Sequence, residues 1–237
     1  MPKETKIRLI ERIPRTPTIE SFRFIPEHKI DFLPGQFLEL RFSPQDPRDR
    51  SLNKYLSFSS SPTREYIEVT KRLSSSSFSQ RLRSLKTDDE VTISAPLGGV
   101  VFTPHYKKIG FFIGGIGITP AISIMEYIYE TGLDTDVLLI YSNRTPEEIA
   151  FKDILDIWKA HNKNFTIIYT LTDCQPEDST CLSGRIDKDM ILRQAADYPD
   201  RIIYLVGPPA MVKTMQEVCN DIGCAEHNLK IENFIGY

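Results

Sequence analysis

A mostly apolar run, Lys108–Gly114, ends in glycines, and a helical pattern opens directly behind it: Phe111-Phe112-Ile113-Gly114-Gly115-Ile116-Gly117-Ile118-Thr119-Pro120. Few folds accommodate such a segment. The run reads as a strand buried on both faces, as in a parallel sheet. Thr119 suits an N-cap and Pro120 the first helical position. Glycine lets the chain turn sharply and lets a ligand approach where a Cβ would stand in the way. Free N–H groups and the positive helix end then favour an anion, and a dinucleotide pyrophosphate at the carboxyl edge of the sheet is the natural candidate.

The chain around this segment changes character once. Before it, short alternating stretches follow one another: Thr5–Pro14, Ser21–Ile25, Phe37–Phe42, Tyr66–Arg72 and Glu90–Ile93. Pro26, Pro34-Gly35, Ser61-Pro62 and Asp88-Asp89 separate them. This spacing predicts an antiparallel barrel, with one short helix at Phe78–Leu85 capped by a preceding serine. After His105, strand and helix alternate: helices at Pro120–Glu130, Pro146–Lys159, Lys188–Ala196 and Ala210–Ile222, and strands at Asp136–Tyr141, Phe165–Thr170 and Arg201–Val206. Such alternation predicts a doubly wound parallel sheet. The predicted domains are 1–104, a β-barrel of Greek-key type, and 105–237, an α/β domain. A second glycine loop, Val206-Gly207-Pro208-Pro209, falls at the carboxyl edge of the same sheet, so Gly207 and Pro208 could form a second wall opposite the glycine turn.

Composition narrows the class by exclusion. The net charge of −3 carries no basic footprint for nucleic acid. The longest strongly apolar stretch, Ile109 to Ile118, is about half of the ~20 residues a spanning helix needs, so no membrane span is expected. The N-terminus leads into a strand pattern, and a cytoplasmic location is the expectation. Cysteines at 174, 181, 219 and 224 match no zinc or iron–sulfur spacing. They read as unconnected thiols, with a Cys174–Cys181 bridge as the alternative. No nucleophile set built on serine, histidine and aspartate is suggested.

In the first domain, Lys54-Tyr55-Leu56-Ser57-Phe58-Ser59-Ser60-Ser61-Pro62 places one cation before alternating hydroxyls. On a strand, these put several donors on one face, which suits a phosphate-bearing ring system such as a flavin nucleotide. A serine-rich edge strand would read the same way.

Across nearly the whole chain, five segments in order resemble the ferredoxin–NADP reductase-like family. They are Pro34-Gly35-Gln36-Phe37, Lys54–Pro62, Ser76–Leu82 with Pro96-Leu97-Gly98, Gly114–Pro120 and Glu232–Tyr237. The resemblance implies a flavin-binding antiparallel barrel, a nicotinamide-binding α/β domain and a C-terminal tail returning to the flavin. It also implies roles by position. Ser57 would bond near flavin N5, and Lys54 would neutralise flavin phosphate, with Tyr55, Leu56, Phe58 and Ser59 completing the strand. Ser79, with the N–H groups of Ser77 and Phe78, would cradle phosphate. Gly114, Gly115, Gly117, Thr119 and Pro120 would form the dinucleotide turn. Gly207 and Pro208 would line the nicotinamide pocket, and Glu232 and Tyr237 would lie near the flavin ring. Three positions depart from the family pattern: Lys54 replaces an arginine fork, Leu56 a tyrosine and Val206 a cysteine.

The implied activity is hydride transfer from NAD(P)H to flavin, then electron release to an acceptor. FAD is favoured over FMN because no extra phosphate anchor for a shortened flavin is evident. Arg144 and Asp173 fall on the loops that would meet the adenosine ribose. Asp173 would accept from a 2′-hydroxyl and repel a 2′-phosphate, which favours NADH over NADPH. The expected acceptor is a separate protein such as a ferredoxin, a flavodoxin or an oxygenase component. Small acceptors (free flavin, ferric chelates, quinones) and a non-catalytic electron-transfer or regulatory subunit are the alternatives.

Overall fold

The computed structural model describes residues 2–173 and 181–234. They divide into two compact units. One holds residues up to Phe102 together with Thr119–Glu130; the other holds Thr103–Ile118 and the residues from Thr131 onward.

The first unit is built on β1 (Lys3–Pro14), β2 (Ile19–Pro26), β3 (Phe37–Arg41), β4 (Asn53–Ser57), β5 (Ile67–Arg72) and β6 (Glu90–Leu97). They pair antiparallel in the order β4-β3-β6-β1-β2-β5. A bridge between Phe58 and Val69 joins the chain after β4 to β5, so the sheet is nearly closed into a barrel. Alternation drives the closure: Phe22 and Phe24 of β2, Leu38 and Leu40 of β3 and Ile93 of β6 all enter one apolar core. Helix α1 (Ser77–Ser84) adds Phe78 and Leu82 to that core. The Ser76 hydroxyl caps it by accepting from the Ser79 N–H at 3.3 Å. The Pro34-Gly35 turn is demanding: Gly35 has φ +94° and Gly99 has φ +102°, and a Cβ on Gly99 would sit 2.4 Å from the Gly35 carbonyl oxygen. Two glycines therefore let these backbones touch.

The second sheet comprises β7 (Lys108–Gly114), β8 (Asp136–Asn143), β9 (Phe165–Leu171), β10 (Cys181–Ser183), β11 (Ile202–Gly207) and β12 (Leu229–Asn233). All are parallel, in the order β10-β9-β8-β7-β11-β12. Helix α2 (Ile118–Thr131) follows β7, α3 (Lys152–His161) precedes β9, α4 (Lys188–Gln194) follows β10 and α5 (Pro209–Asp221) follows β11. One sheet face, with Phe112, Ile140 and Leu205, packs on Met190 and Ile191 of α4 and Val212 and Met215 of α5. The opposite face carries Tyr141 and Tyr169, and Asp156 of α3 accepts from the Tyr169 hydroxyl at 2.8 Å. The strand order reverses between β7 and β11, so the glycine turn and the Gly207 loop flank the topological switch point.

Three local expectations are corrected. The predicted helix Pro146–Lys159 is a 3₁₀ turn, Pro146–Glu148, and then α3. Phe151 breaks it with φ +63° while burying its ring; Phe151, Leu155 and Trp158 keep helical apolar spacing although the backbone at Phe151 is not helical. Thr119 is not an N-cap, because a 3₁₀ turn at Gly115–Gly117 runs straight into α2 and moves the start to Gly114. Pro120 is the third residue of α2 and not its first. The edge strands β10 and β12 lie beyond the strands read from the sequence. They are short, and β12 is largely uncovered, so neither has the apolar run of a central strand.

Candidate active site

In the barrel unit, β4 carries Lys54 opposite Leu40 and Ser57 opposite Phe37. Ser57 is buried, and its hydroxyl is bonded to no other described residue. Tyr55 is 53% exposed, with its ring edge-on to Phe37 at 5.7 Å and the Arg50 guanidinium 5.1 Å from its centroid. Leu56 packs against the barrel core.

The remaining hydroxyls of this segment serve the fold. Phe58 stacks on Phe32 at 3.9 Å, and its N–H donates to the Gln36 carbonyl at 3.1 Å. The Ser59 hydroxyl shares a 2.7 Å bond with Thr70 and donates to Glu68 at 3.3 Å. Ser60 accepts from the Glu68 N–H at 2.9 Å. Glu68 in turn holds Arg15 at 3.0 Å and Arg23 at 2.8 Å. A buried carboxylate needs such partners, and here two guanidinium groups supply them. Further along, the Ser61 N–H donates to Glu126 of α2 at 2.6 Å, and Arg64 meets the same carboxylate at 2.7 Å. Burial pushes the Glu126 carboxyl up, while Arg64 and the Ser61 N–H oppose the shift.

Ser77 is exposed, whereas Phe78 and Ser79 are buried at the start of α1. The Ser79 hydroxyl already lies 3.1 Å from Ser76 and 3.3 Å from Ser74. The first turn of α1 carries no acidic residue. Its leading N–H groups have no partner within the helix, so the donor set fits an anion such as a flavin phosphate. A second observation points the same way, and the sequence reading missed it. Lys71 on β5 is 8% exposed and pairs with no carboxylate among the described residues. Burial, aided by the neighbouring Lys54 charge, holds its amine below the usual lysine value. A buried cation beside another cation, paired with no carboxylate of the described residues, suits a bound anion. The only sequence signal was a lysine interrupting the apolar positions of Ile67–Arg72.

In the parallel sheet, each glycine of the turn has its own reason. Gly115 has φ +52°, and its carbonyl accepts from the Tyr141 hydroxyl at 3.0 Å. A Cβ on Gly117 would lie 2.4 Å from the Val206 carbonyl oxygen. Gly117 is therefore required first for close packing of the turn on β11. A Cβ on Gly114 would meet the Met211 side chain, at 2.4 Å from sulfur. Thr119 and Pro120 are both buried.

Gly207 has φ +153° and its carbonyl accepts from the Phe234 N–H at 2.9 Å. Pro208 is exposed ahead of α5. Val206 is buried within β11 and sits opposite Glu232 in β12. Glu232 is thus a strand residue of the parallel sheet. Tyr237 lies outside the described residues, as do Cys174 and any Cys174–Cys181 bridge.

Arg144 and Asp173 come together at the ends of β8 and β9. The Asp173 N–H donates to the Arg144 carbonyl at 3.0 Å, and the side chains form a 3.9 Å ion pair, 72% and 56% exposed. The cation on one loop is thus engaged by the residue expected to read the ribose. The sequence reading also missed Asn143, the last residue of β8, which is 5% exposed.

A nearly closed antiparallel barrel with an anion-fitted helix start, joined to a parallel sheet with a glycine turn at its switch point, is the layout of a flavin- and nicotinamide-handling reductase. Comparison with known proteins agrees. Residues 111–217 match the oxidoreductase NAD-binding domain family. NADH-cytochrome b5 reductase 1 of Aspergillus clavatus is 30% identical over 217 residues, covering 86% of this chain and 70% of the relative. The protein of the same name from Mortierella alpina is 28% identical over 229 residues, covering 94% and 76%. Among solved structures, the cytochrome b5 reductase domain of Ulva prolifera nitrate reductase superposes with a TM-score of 0.83 at 24% identity, covering 97% of each chain. The ferredoxin–NADP+ reductase of Neisseria gonorrhoeae superposes at 0.80 with 22% identity, covering 98% of each. The chain belongs to the ferredoxin–NADP reductase-like flavoprotein reductases, of the cytochrome b5 reductase type, and is an NAD(P)H-dependent oxidoreductase. Among the described residues, no helix is long and apolar enough to cross a membrane.

Proposed function

We propose that this chain oxidises NADH on bound FAD and passes the electrons to a separate one-electron acceptor protein, a cytochrome of the b5 kind before a ferredoxin or flavodoxin. The observation that carries the NADH reading is Asp173, exposed at the end of β9 and paired with Arg144 across the strand ends. A carboxylate there accepts from a ribose 2′-hydroxyl and repels a 2′-phosphate. Arg144, already engaged by Asp173, offers a 2′-phosphate a contested cation. The acceptor reading is supported by relatives named as NADH-cytochrome b5 reductases.

When bound, the flavin supplies the chemistry of accepting two electrons together and releasing them singly. The residues of this chain supply placement. Ser57 contributes a buried hydroxyl with no competing bond to a described residue, suited to hydrogen-bonding a ring nitrogen. Lys54 and Lys71 supply positive charge for phosphate, and the Ser77 and Phe78 N–H groups supply donors. The Gly115–Gly117 turn and the Gly207-Pro208 loop offer backbone at the switch point to the dinucleotide. Holding the reacting atoms in register is the main catalytic contribution of such a scaffold.

The test is anaerobic titration of the flavin-loaded protein with NADH and with NADPH, followed by mixing with a b-type cytochrome. Bleaching of the flavin by NADH at lower concentration than NADPH, then reduction of the haem, is the expected result. A protein that retains no FAD, or whose flavin NADH fails to bleach, would overturn the reading.

A further inference from the structure

Asn143 closes β8 with a side chain that the fold leaves unfinished. It is 5% exposed. Among the described residues, neither the amide nitrogen nor the amide oxygen meets a hydrogen-bond partner. Its backbone is ordinary: the carbonyl accepts from the Thr172 N–H at 3.0 Å. A buried primary amide with both ends open is rare, because the group loses water on folding and gains nothing in return. A hydrophobic side chain of the same size would fill this place at lower cost.

The position suggests what completes it. Asn143 follows Tyr141 by two residues and so shares its sheet face, and the Tyr141 hydroxyl holds the carbonyl of Gly115. It precedes Arg144, which pairs with Asp173. The open amide thus lies at the carboxyl edge of the sheet, with the glycine turn on one side and the proposed ribose-reading pair on the other. We propose that Asn143 is a specificity residue for the dinucleotide, its amide completed by the cis-diol of the adenosine ribose. This rests on the NADH reading above and extends it by one residue and one contact.

The chemistry matches in both directions. One ribose hydroxyl donates to the amide oxygen, and the other accepts from the amide nitrogen. A ribose carrying a 2′-phosphate has no 2′-hydroxyl to donate, so Asn143 works in the same sense as Asp173. The free protein carries the cost of the open amide, and the ligand relieves it. Stability and affinity therefore move in opposite directions when the amide is removed.

The experiment uses the full chain loaded with flavin. The probes are ADP-ribose and its analogue lacking the 2′-hydroxyl on the adenosine ribose, measured by calorimetry. Asn143→Leu is expected to raise Tm or leave it unchanged and to weaken ADP-ribose by about tenfold. The deoxy analogue is expected to bind the wild type about tenfold more weakly than ADP-ribose, with no further loss in the leucine variant. Asn143→Asp keeps an acceptor and loses the donor, so it provides an intermediate loss should the leucine variant fold poorly.

ADP-ribose binding to Asn143→Leu within about twofold of wild type would overturn the proposal. So would losses that simply multiply between variant and analogue, since the amide and the hydroxyl then do not meet. A wild type that binds neither ADP-ribose nor NADH would instead overturn the functional reading itself, which separates the two failures.

Discussion

The serine segment after β4 and the glycine turn after β7 both match family motifs, but the fold uses them differently. In the barrel, the polar groups from Ser59 to Ser61 are consumed internally: Ser59 and Ser60 serve Glu68, and the Ser61 N–H serves Glu126. Ser57 is left with its hydroxyl uncommitted among described residues. In the sheet, backbone does the work, and Gly117 is a packing requirement against β11 before it is anything else. The serine segment completes its buried polar groups, whereas the sheet leaves Asn143 open among the described residues. A motif residue therefore belongs to the ligand only after the fold's own demand on it has been subtracted.

Four substitutions probe that contrast. The greatest loss falls on the completed network. Glu68→Ala removes the buried acceptor shared by Arg15 and Arg23, leaving Arg23 only its half-exposed partner Glu11 and breaking the Ser59 and Thr70 contacts, at a cost of about 3–5 kcal/mol by chemical denaturation. A loss within the range of an exposed pair would show that the network is not the barrel's anchor. Next, Gly117→Val drives a side chain into the backbone of β11. A loss of about 3 kcal/mol is expected, appearing as a lower denaturation midpoint before any effect on nucleotide. A stable variant with only weakened dinucleotide binding would return Gly117 to a purely ligand role.

The third change alters selectivity. Asp173→Arg removes the carboxylate from beside Arg144 and is expected to shift the NADPH to NADH preference by about tenfold, on the order of 1.4 kcal/mol. Steady-state kcat/KM with each nucleotide checks it, and an unchanged ratio would place the discriminating loop elsewhere.

A subtler change concerns Lys71. Its folded pKa is depressed, so the unfolded chain binds more protons between that value and the ordinary 10.5. Wild-type stability therefore rises with pH across that window, and the cost of the buried charge is fully present below it. Lys71→Met is expected to stabilise the flavin-free protein by less than about 1 kcal/mol at neutral pH. The gain should shrink as pH approaches 10.5. Bound anion reverses the sign, because it supplies the missing partner. Thermal melts across pH, with and without flavin, check both arms.

Much of the fold is legible along the chain. Central strands announce themselves because both faces are buried, and the apolar run Lys108–Gly114 coincides with β7 at both ends. Helix α1 is legible from its serine cap, since local hydrogen bonding decides it. The two-domain class follows from the change of period near residue 105, and the switch-point glycines from the strand–turn–helix order. The break at Phe151 is not legible, because an apolar residue at helical spacing looks the same whether its φ is negative or positive. Edge strands β10 and β12 are not legible either, since an edge buries too little to leave a pattern.

Fold class, family and the positions where glycine has to stand are all written in the amino-acid order, because periodicity and backbone freedom are local properties. Which side chains remain available to a ligand is not. Ser59 and Ser57 look alike in the chain, yet one hydroxyl is engaged by residues from β5. Lys71 and Asn143 look ordinary in the chain, and their significance comes from partners that nonlocal packing fails to bring among the described residues. Hydrogen-bond satisfaction is a property of the assembled neighbourhood, so it emerges only when distant segments meet in three dimensions.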